Sequence, residues 1–379
     1  MKIKTFLVPY PLGEIKDNIT ITSNNDLKYS NSSKSSQSTD STKYSKDQII
    51  NKALSLHSQG NILKAAKYYQ IFIDKGYTDP IIFANYGTIF EQLGEIEKAI
   101  EIYKKSILLF PNSHESFSNL GVLLRGKGEL EEAESITRKA IKIKPNSGES
   151  HCNLGLILRD LGKFQEAEIL LRKALGFKPN LAEIHNGLGV VLKDLGKLDK
   201  ALISYKNAIQ LNSNYAEAYS NIGCVLSDIN KFEEAEDYIR KAILINPHFS
   251  KAYSDLAIVL NNIGKSENDE VKLKEAELTA RKSIELKSDF AESYFTLGAI
   301  LRDRDKFKEA EILTRKALEI DPNLTIAYYT LSQILSEQNK YEEALIELKK
   351  AIEKDPKNYI YNGELTRLNY IVSEYKSNK

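Results

Sequence analysis

"HCNLGLILRDLGKFQEAEILLRKALGFKPN", residues 151–180, is close to a copy of the segments on either side of it. Thirty-four residues earlier, from Phe117, the chain reads "FSNLGVLLRGKGELEEAESITRKAIKIKPN". Thirty-four residues later, from His185, it reads "HNGLGVVLKDLGKLDKALISYKNAIQLNSN". A unit this short cannot bury its apolar side alone. It must stack on its neighbours, and a row of such units makes a long surface rather than one closed core.

Counting from His114 as place 1 fixes the register. Place 8 gives Gly87, Gly121, Gly155, Gly189 and Gly223; place 20 gives Ala65, Ala99, Ala133, Ala167, Ala201 and Ala235. Place 32 gives Pro111, Pro145, Pro179 and Pro247, with Ser213 breaking the run. After one insertion the register returns with Gly298, Ala310, Ala317 and Pro322, then Ala344, Ala351 and Pro356. The units are 46–79, 80–113, 114–147, 148–181, 182–215, 216–249, 250–290, 291–324 and 325–358. Before them, residues 1–45 form a tail, polar and serine-rich from 23 onward and expected to be disordered. After them, 359–379 holds a segment that forms a capping helix if Leu365, Leu368 and Ile371 meet on one side.

Inside a unit the apolar spacing is helical. In 148–181, Leu154, Ile157 and Leu158, then Phe164, Ala167, Leu171, Ala174 and Leu175, recur at intervals of three and four. "LGK" at 161–163 interrupts them, with Gly162 suited to ending a helix, and Pro179 lies in the connection to the next unit, where no helical N–H is lost. Each unit is a pair of antiparallel helices, and the small residues at places 8 and 20 let the two backbones approach.

This pattern resembles the tetratricopeptide repeat over residues 46 to 358. The family's place-4 aromatic stands as Phe83, Phe117, Tyr219, Tyr253, Tyr294 and Tyr328; His151 and His185 replace it in two units and are read as packing residues. The resemblance implies an all-α fold: a right-handed superhelix, or α-solenoid, of about nine helix-turn-helix repeats, first helices lining its concave side. One unit, 250–290, carries seven extra residues within "GKSENDEVKLKEAE". They read as a solvated bulge; the alternative is an elongated helix capped by Ser266 or Asn268.

Composition excludes little. The chain has 379 residues, 42% hydrophobic and 28% charged, with a net charge of +1 that points to neither nucleic acid nor membrane. "MKIKTFLVPYPLGEIK" lacks the apolar run of a signal peptide, no stretch of about 18 apolar residues exists, and a cytoplasmic location is expected. The two cysteines, Cys152 and Cys224, lie two repeats apart, too far for a disulfide in a stacked array. No zinc, dinucleotide or Ser-His-Asp signature appears. "GVLLRGKG", Gly121 to Gly128, has the spacing of a phosphate loop up to its lysine. It lacks the Ser or Thr that holds magnesium, and no strand precedes it. Neither cofactor, metal nor enzymatic activity is expected.

Candidate binding residues lie on the first helices. Place 6 holds Asn85, Asn119, Asn153, Gly187, Asn221, Asp255, Thr296 and Thr330; asparagine is a poor mid-helix residue. Place 12 is basic at Arg125, Arg159, Lys193 and Arg302. A row of asparagines here resembles the superhelix of O-linked N-acetylglucosamine transferase, where such amides hold the backbone of an extended peptide. That resemblance implies a scaffold or adaptor for a protein or extended peptide, with Asn85, Asn119, Asn153, Asn221, Asp255 and the four bases in the groove. Two alternatives stay open. The amides could bond between adjacent helices instead. The array could also be the substrate-recognising module of a glycosyltransferase or sulfotransferase whose catalytic domain lies elsewhere. A monomer is expected, with self-association through uncapped repeat faces left open.

Overall fold

The computed structural model describes residues 44–377, with side chains to residue 373. The described part is helical, with 19 helices and no strand among the described residues. Two compact units divide at residue 180. The tail expected over 1–45 lies outside the described residues except for Tyr44 and Ser45.

The first unit holds four pairs: α1 (Lys46–Ser58) with α2 (Ile62–Asp74), α3 (Pro80–Gln92) with α4 (Ile96–Leu109), α5 (His114–Lys127) with α6 (Leu130–Ile143), and α7 (Gly148–Asp160) with α8 (Phe164–Phe177). Local chemistry sets several starts. Ser45 caps α1 in a reciprocal box with Gln48, Asp79 accepts from the N–H groups of Ile81 and Ile82 beside Pro80, and Ser147 caps α7.

The second unit holds α9 (Ala182–Asp194) with α10 (Leu198–Leu211), α11 (Ala216–Asp228) with α12 (Phe232–Ile245), and α13 (Ser250–Glu267) with α14 (Glu270–Leu286). It continues with α15 (Ala291–Asp303) and α16 (Phe307–Ile320), α17 (Thr325–Glu337) and α18 (Tyr341–Lys354), then α19 (Tyr359–Ser377). On α19, Leu368 is buried against α17 and α18 with Leu365 beside it. Tyr361, which the sequence did not single out, is buried there too and stacks on Tyr329 at 4.9 Å.

Turns between the helices of a pair reuse one device. The residue at place 15 takes positive φ: Gly60, Gly94, Gly128, Gly162 and Gly196, then Asn230, Asp305 and Asn339. Glycine enters this left-handed conformation freely, and Asn and Asp are the side chains that best tolerate it.

The small residues do more than let two backbones meet. A Cβ added at place 8 would collide with the side chain at place 24 on the second helix. Gly87 would meet the Tyr103 ring at 2.4 Å, Gly155 the Leu171 Cγ at 2.8 Å, and Gly223 the Ile239 Cγ1 at 2.3 Å. The carbonyl of the place-20 alanine lies just beyond, 3.3 Å from the Gly155 position. In the pair α13–α14 place 24 shrinks to Ala280, and place 8 is then Ala257, both fully buried.

The seven-residue insertion corrects the bulge reading. It lengthens both helices of its pair, to 18 residues in α13 and 17 in α14. Asn268 ends α13 in the left-handed conformation, and Asp269 caps α14 by accepting from the N–H groups of Val271 and Lys272. Ser266 caps nothing; its hydroxyl donates back to the Ile263 carbonyl. Gly264 is the reason the longer helices fit, since a Cβ there would meet the Leu273 side chain at 2.7 Å and its backbone N at 3.0 Å.

Candidate functional site: the first-helix face

Within each unit the first helices of successive pairs approach one another, in the order α3, α5, α7 and in the order α9, α11, α13, α15, α17. Second helices make no comparable mutual approach among the described residues. Each stack is thus tighter on its first-helix side, and the expected site residues lie there.

The place-6 side chains are held by hydrogen bonds that run diagonally across the repeats. In the first unit, place 24 of the preceding pair is tyrosine twice, and there the amide bonds to its hydroxyl: Asn85 with Tyr69, and Asn119 Nδ2 donating to Tyr103 Oη at 3.3 Å. Where it is threonine, as at Thr137, the amide turns to place 5 of the preceding first helix. Asn153 Nδ2 donates to Ser118 Oγ at 3.0 Å. In the second unit Asn221 Nδ2 donates to Asn186 Oδ1 at 3.0 Å, and Ser220 Oγ donates to Asp255 Oδ2 at 2.6 Å. Ser254 and Thr296 continue the series at 2.8 Å across the insertion.

These bonds sort the row. Asn85 has no exposed surface and Asn119 is 2% exposed, because the tyrosine hydroxyls draw them inward. Asn85 therefore cannot touch a ligand on this face, contrary to the expectation from its column. Asn153 is buried too, at 7% exposure, whereas Asn221 and Asp255 are partly open. In Asn153 and Asn221 it is the NH2 group that carries the inter-helix bond.

The tyrosines reach this face from behind. Tyr103 passes under Gly87, and its hydroxyl meets Glu91 Oε1 at 2.5 Å and Thr88 Oγ1 at 3.2 Å. Burial, reinforced by the Glu91 carboxylate, raises its phenol well above the ordinary value, so it remains a neutral donor to Glu91.

The place-12 bases form a second diagonal. Arg125 Nε donates to Asp160 Oδ2 at 2.6 Å, and Lys193 pairs with Asp228 at 3.0 Å. Asn261 Nδ2 donates to Asp303 Oδ2 at 3.0 Å, again one place on in the next pair. Arg159 touches Asp160 at 3.4 Å, and Arg302 donates to Asp303 at 2.7 Å and to Gln333 Oε1 at 2.6 Å. The basic row is thus interleaved with carboxylates. An incoming acidic group meets alternating charge rather than a positive stripe.

One denser cluster sits between α11 and α13. Lys251 Nζ donates to Asp255 Oδ2 at 2.6 Å and lies 3.8 Å from Cys224 Sγ. Burial, then the Asp255 charge, pushes the Cys224 thiol up to about 12, so it is protonated at neutral pH. Burial alone would depress the Lys251 ammonium, but the Asp255 carboxylate offsets this and holds it above its ordinary value. Neither cysteine is in a disulfide. Among the described residues, no group of three or more His, Cys, Asp or Glu is placed to hold a metal, and no helix is long and apolar enough to cross a membrane.

An all-helical array of paired helices with glycine against place 24 and a left-handed turn in nearly every pair defines a helical repeat protein. Models of the tetratricopeptide repeat match residues 82–113, 114–147 and 148–181, then 216–249, then 291–324 and 325–358. A further TPR repeat model matches 191–230. Together they span more than half of the chain, which belongs to the tetratricopeptide-repeat family. Among curated proteins no match is found. Repeats of this family serve in general as protein–protein interaction scaffolds.

Proposed function

We propose that the chain is a scaffold that holds an extended protein segment along its first-helix face. Asn153 and Asn221 are the amides best situated to meet it. The observation that carries this reading is the pinning of each amide by its NH2 group to the neighbouring first helix. A pinned NH2 fixes the side chain before binding and turns the amide oxygen into a ready acceptor for a backbone N–H of the segment. A backbone contact of this kind is indifferent to the segment's side chains. The half-neutralised bases, Arg159, Lys193 and Arg302, then set a modest preference at the rim, and Arg125, more deeply held by Asp160, contributes least.

The test is selection of binders from a displayed library of unstructured peptides, followed by calorimetry. Asn153→Ala and Asn221→Ala should each weaken a selected peptide by roughly twofold to tenfold, the net worth of one hydrogen bond, in variants whose melting curves show them folded. The loss should be alike for peptides of unrelated sequence. Failure to select any peptide, or full affinity in both variants, overturns the reading.

A further inference from the structure

The opposite side of the second unit carries three parallel rows on α14, α16 and α18. The middle row is apolar and open to solvent: Leu278 is 68% exposed, Ile312 68% and Ile346 55%. One turn toward each helix N-terminus stands a glutamate, Glu275, Glu309 or Glu343. One turn toward each C-terminus stands a lysine, Lys282, Lys316 or Lys350. The three helices are held side by side, because Arg281 of α14 reaches Glu309 of α16 at 2.6 Å and Arg315 of α16 reaches Glu343 of α18 at 3.4 Å. On the next helix back, α12, the middle position is Asp237, exposed and charged, and there the row is interrupted, Ile203 of α10 being the next exposed apolar residue at this place.

We propose that this surface is the contact of an isologous homodimer. The order of the rows selects the occupant. A second copy turned about a two-fold axis along the apolar row lays Leu278, Ile312 and Ile346 on their own counterparts. The same rotation brings Glu275, Glu309 and Glu343 of one copy over Lys282, Lys316 and Lys350 of the other, and the reverse on the far side. A two-fold axis along the helices would instead set glutamate on glutamate. Only one arrangement is therefore both apolar at its centre and complementary at its rims.

The charges are able to change partners. The lysine side chains are 42–49% exposed; Lys282 and Lys316 pair within their own helices with Glu285 and Glu319, 70% and 66% exposed, Lys350 pairs with the more buried Glu347, and Glu275, Glu309 and Glu343 each already accept an arginine through one oxygen, from Arg240, Arg281 and Arg315. Such surface pairs exchange at little cost. Three apolar residues and six ion pairs make a small interface, below the roughly 1,200 Å² of a standard one, so the dimer is a weak one that salt weakens further.

Sedimentation of the full chain from about 1 µM to about 1 mM, the span of weak affinities, tests the assignment. The wild type should pass from monomer to dimer and stop there. Ile312→Glu should sediment as a monomer throughout. The triple variant Lys282→Glu/Lys316→Glu/Lys350→Glu should be monomeric alone. So should Glu275→Lys/Glu309→Lys/Glu343→Lys. An equimolar mixture of these two triple variants should form a heterodimer, since one offers two acidic rows and the other two basic rows. Melting curves check that each variant is folded; if a triple variant is not, Ile312→Glu decides alone. A wild type that stays monomeric, one that grows beyond a dimer, an Ile312→Glu variant that still dimerises, or a mixture of folded triple variants that does not, overturns the proposal.

Discussion

Gly155 and Leu171 face one another so closely that a Cβ on the glycine would stand 2.8 Å from the leucine Cγ. Beyond it the Ala167 carbonyl would lie at 3.3 Å, and that atom belongs to a helix backbone that cannot yield. Gly155→Ala should therefore destabilise the chain by about 1–3 kcal/mol, the usual cost of overpacking. Adding Leu171→Ala should recover part of that loss, because the pair then matches Ala257 and Ala280 of the longer repeat. Chemical denaturation of the two single variants and the double variant measures the coupling. Additive effects would mean the two residues do not share this space.

The period was legible because glycine, alanine and proline return in columns 34 residues apart, and columns are what an aligned repeat displays. The hydrogen bonds of the candidate face were not, because they run on diagonals. Asn153 meets Ser118, and Arg125 meets Asp160, each 35 residues away, one place across and one repeat on. Asn119 meets Tyr103, 16 residues back. A tyrosine at place 24 followed 16 residues later by asparagine is a signal that the sequence did contain, at Tyr69 with Asn85 and Tyr103 with Asn119. It does not by itself mark an inward-facing amide, since Tyr205 and Asn221 share the spacing and Asn221 is partly open and bonded to Asn186. The fate of the insertion was harder to read. Its two outcomes differ by whether Gly264 can admit Leu273, a contact between residues that no column pairs.

Asp305 holds a left-handed conformation, φ 58°, at a position where the corresponding turns of the first unit use glycine. It is exposed. Asp305→Gly should relieve the backbone and raise stability by about 0.5–1 kcal/mol, less what glycine's freedom returns to the unfolded chain. Gly162→Asp should do the reverse. A shift of the thermal midpoint in the same direction for both variants would contradict this account of the turns.

Four glutamates of the second helices, Glu134, Glu236, Glu277 and Glu311, have carboxyls held below their ordinary value. For Glu134 the Lys163 bond dominates; for the others burial works the opposite way and is outweighed by a lysine and an arginine. A carboxyl with a depressed folded value contributes stability that is fully present above its unfolded value of 4.5 and is lost as pH falls below it. Denaturation midpoints should therefore fall steeply from about pH 5 toward pH 3. Glu277→Gln, which removes the negative charge that Arg281 and Lys306 meet, should be less stable at neutral pH and show a shallower fall.

His151 is fully buried where other repeats carry an aromatic ring. Its Nδ1 lies 2.8 Å from the Ser147 carbonyl, while Nε2 has no partner. Burial lowers its pKa below 6.5, so the unfolded chain takes up a proton there first and stability drops as pH falls below that value. His151→Phe should remove this part of the drop between about pH 6.5 and 5. The Ser147 carbonyl stays satisfied by the residue-151 N–H. Parallel pH profiles for variant and wild type would show that His151 does not titrate on unfolding.

Asn153 and Ser118 offer the clearest separation of packing from binding. If the amide serves only to join α7 to α5, then Asn153→Ala should cost about 0.5–1.5 kcal/mol, Ser118→Ala somewhat more because Ser118 Oγ also accepts from Ser150 Oγ, and the double variant no more than Ser118→Ala. A binding role adds a second, independent signature. Ser118→Ala leaves the Asn153 oxygen in place but frees the side chain to turn, so a bound peptide should lose a little affinity, through pre-organisation alone. Asn153→Ala removes the acceptor itself and should lose more. The double-mutant cycle in denaturant reads the inter-helix bond, and calorimetry with a selected peptide reads the contact. Equal affinity losses for the two single variants would place the whole effect in the join between helices and leave the amide oxygen without a part in recognition.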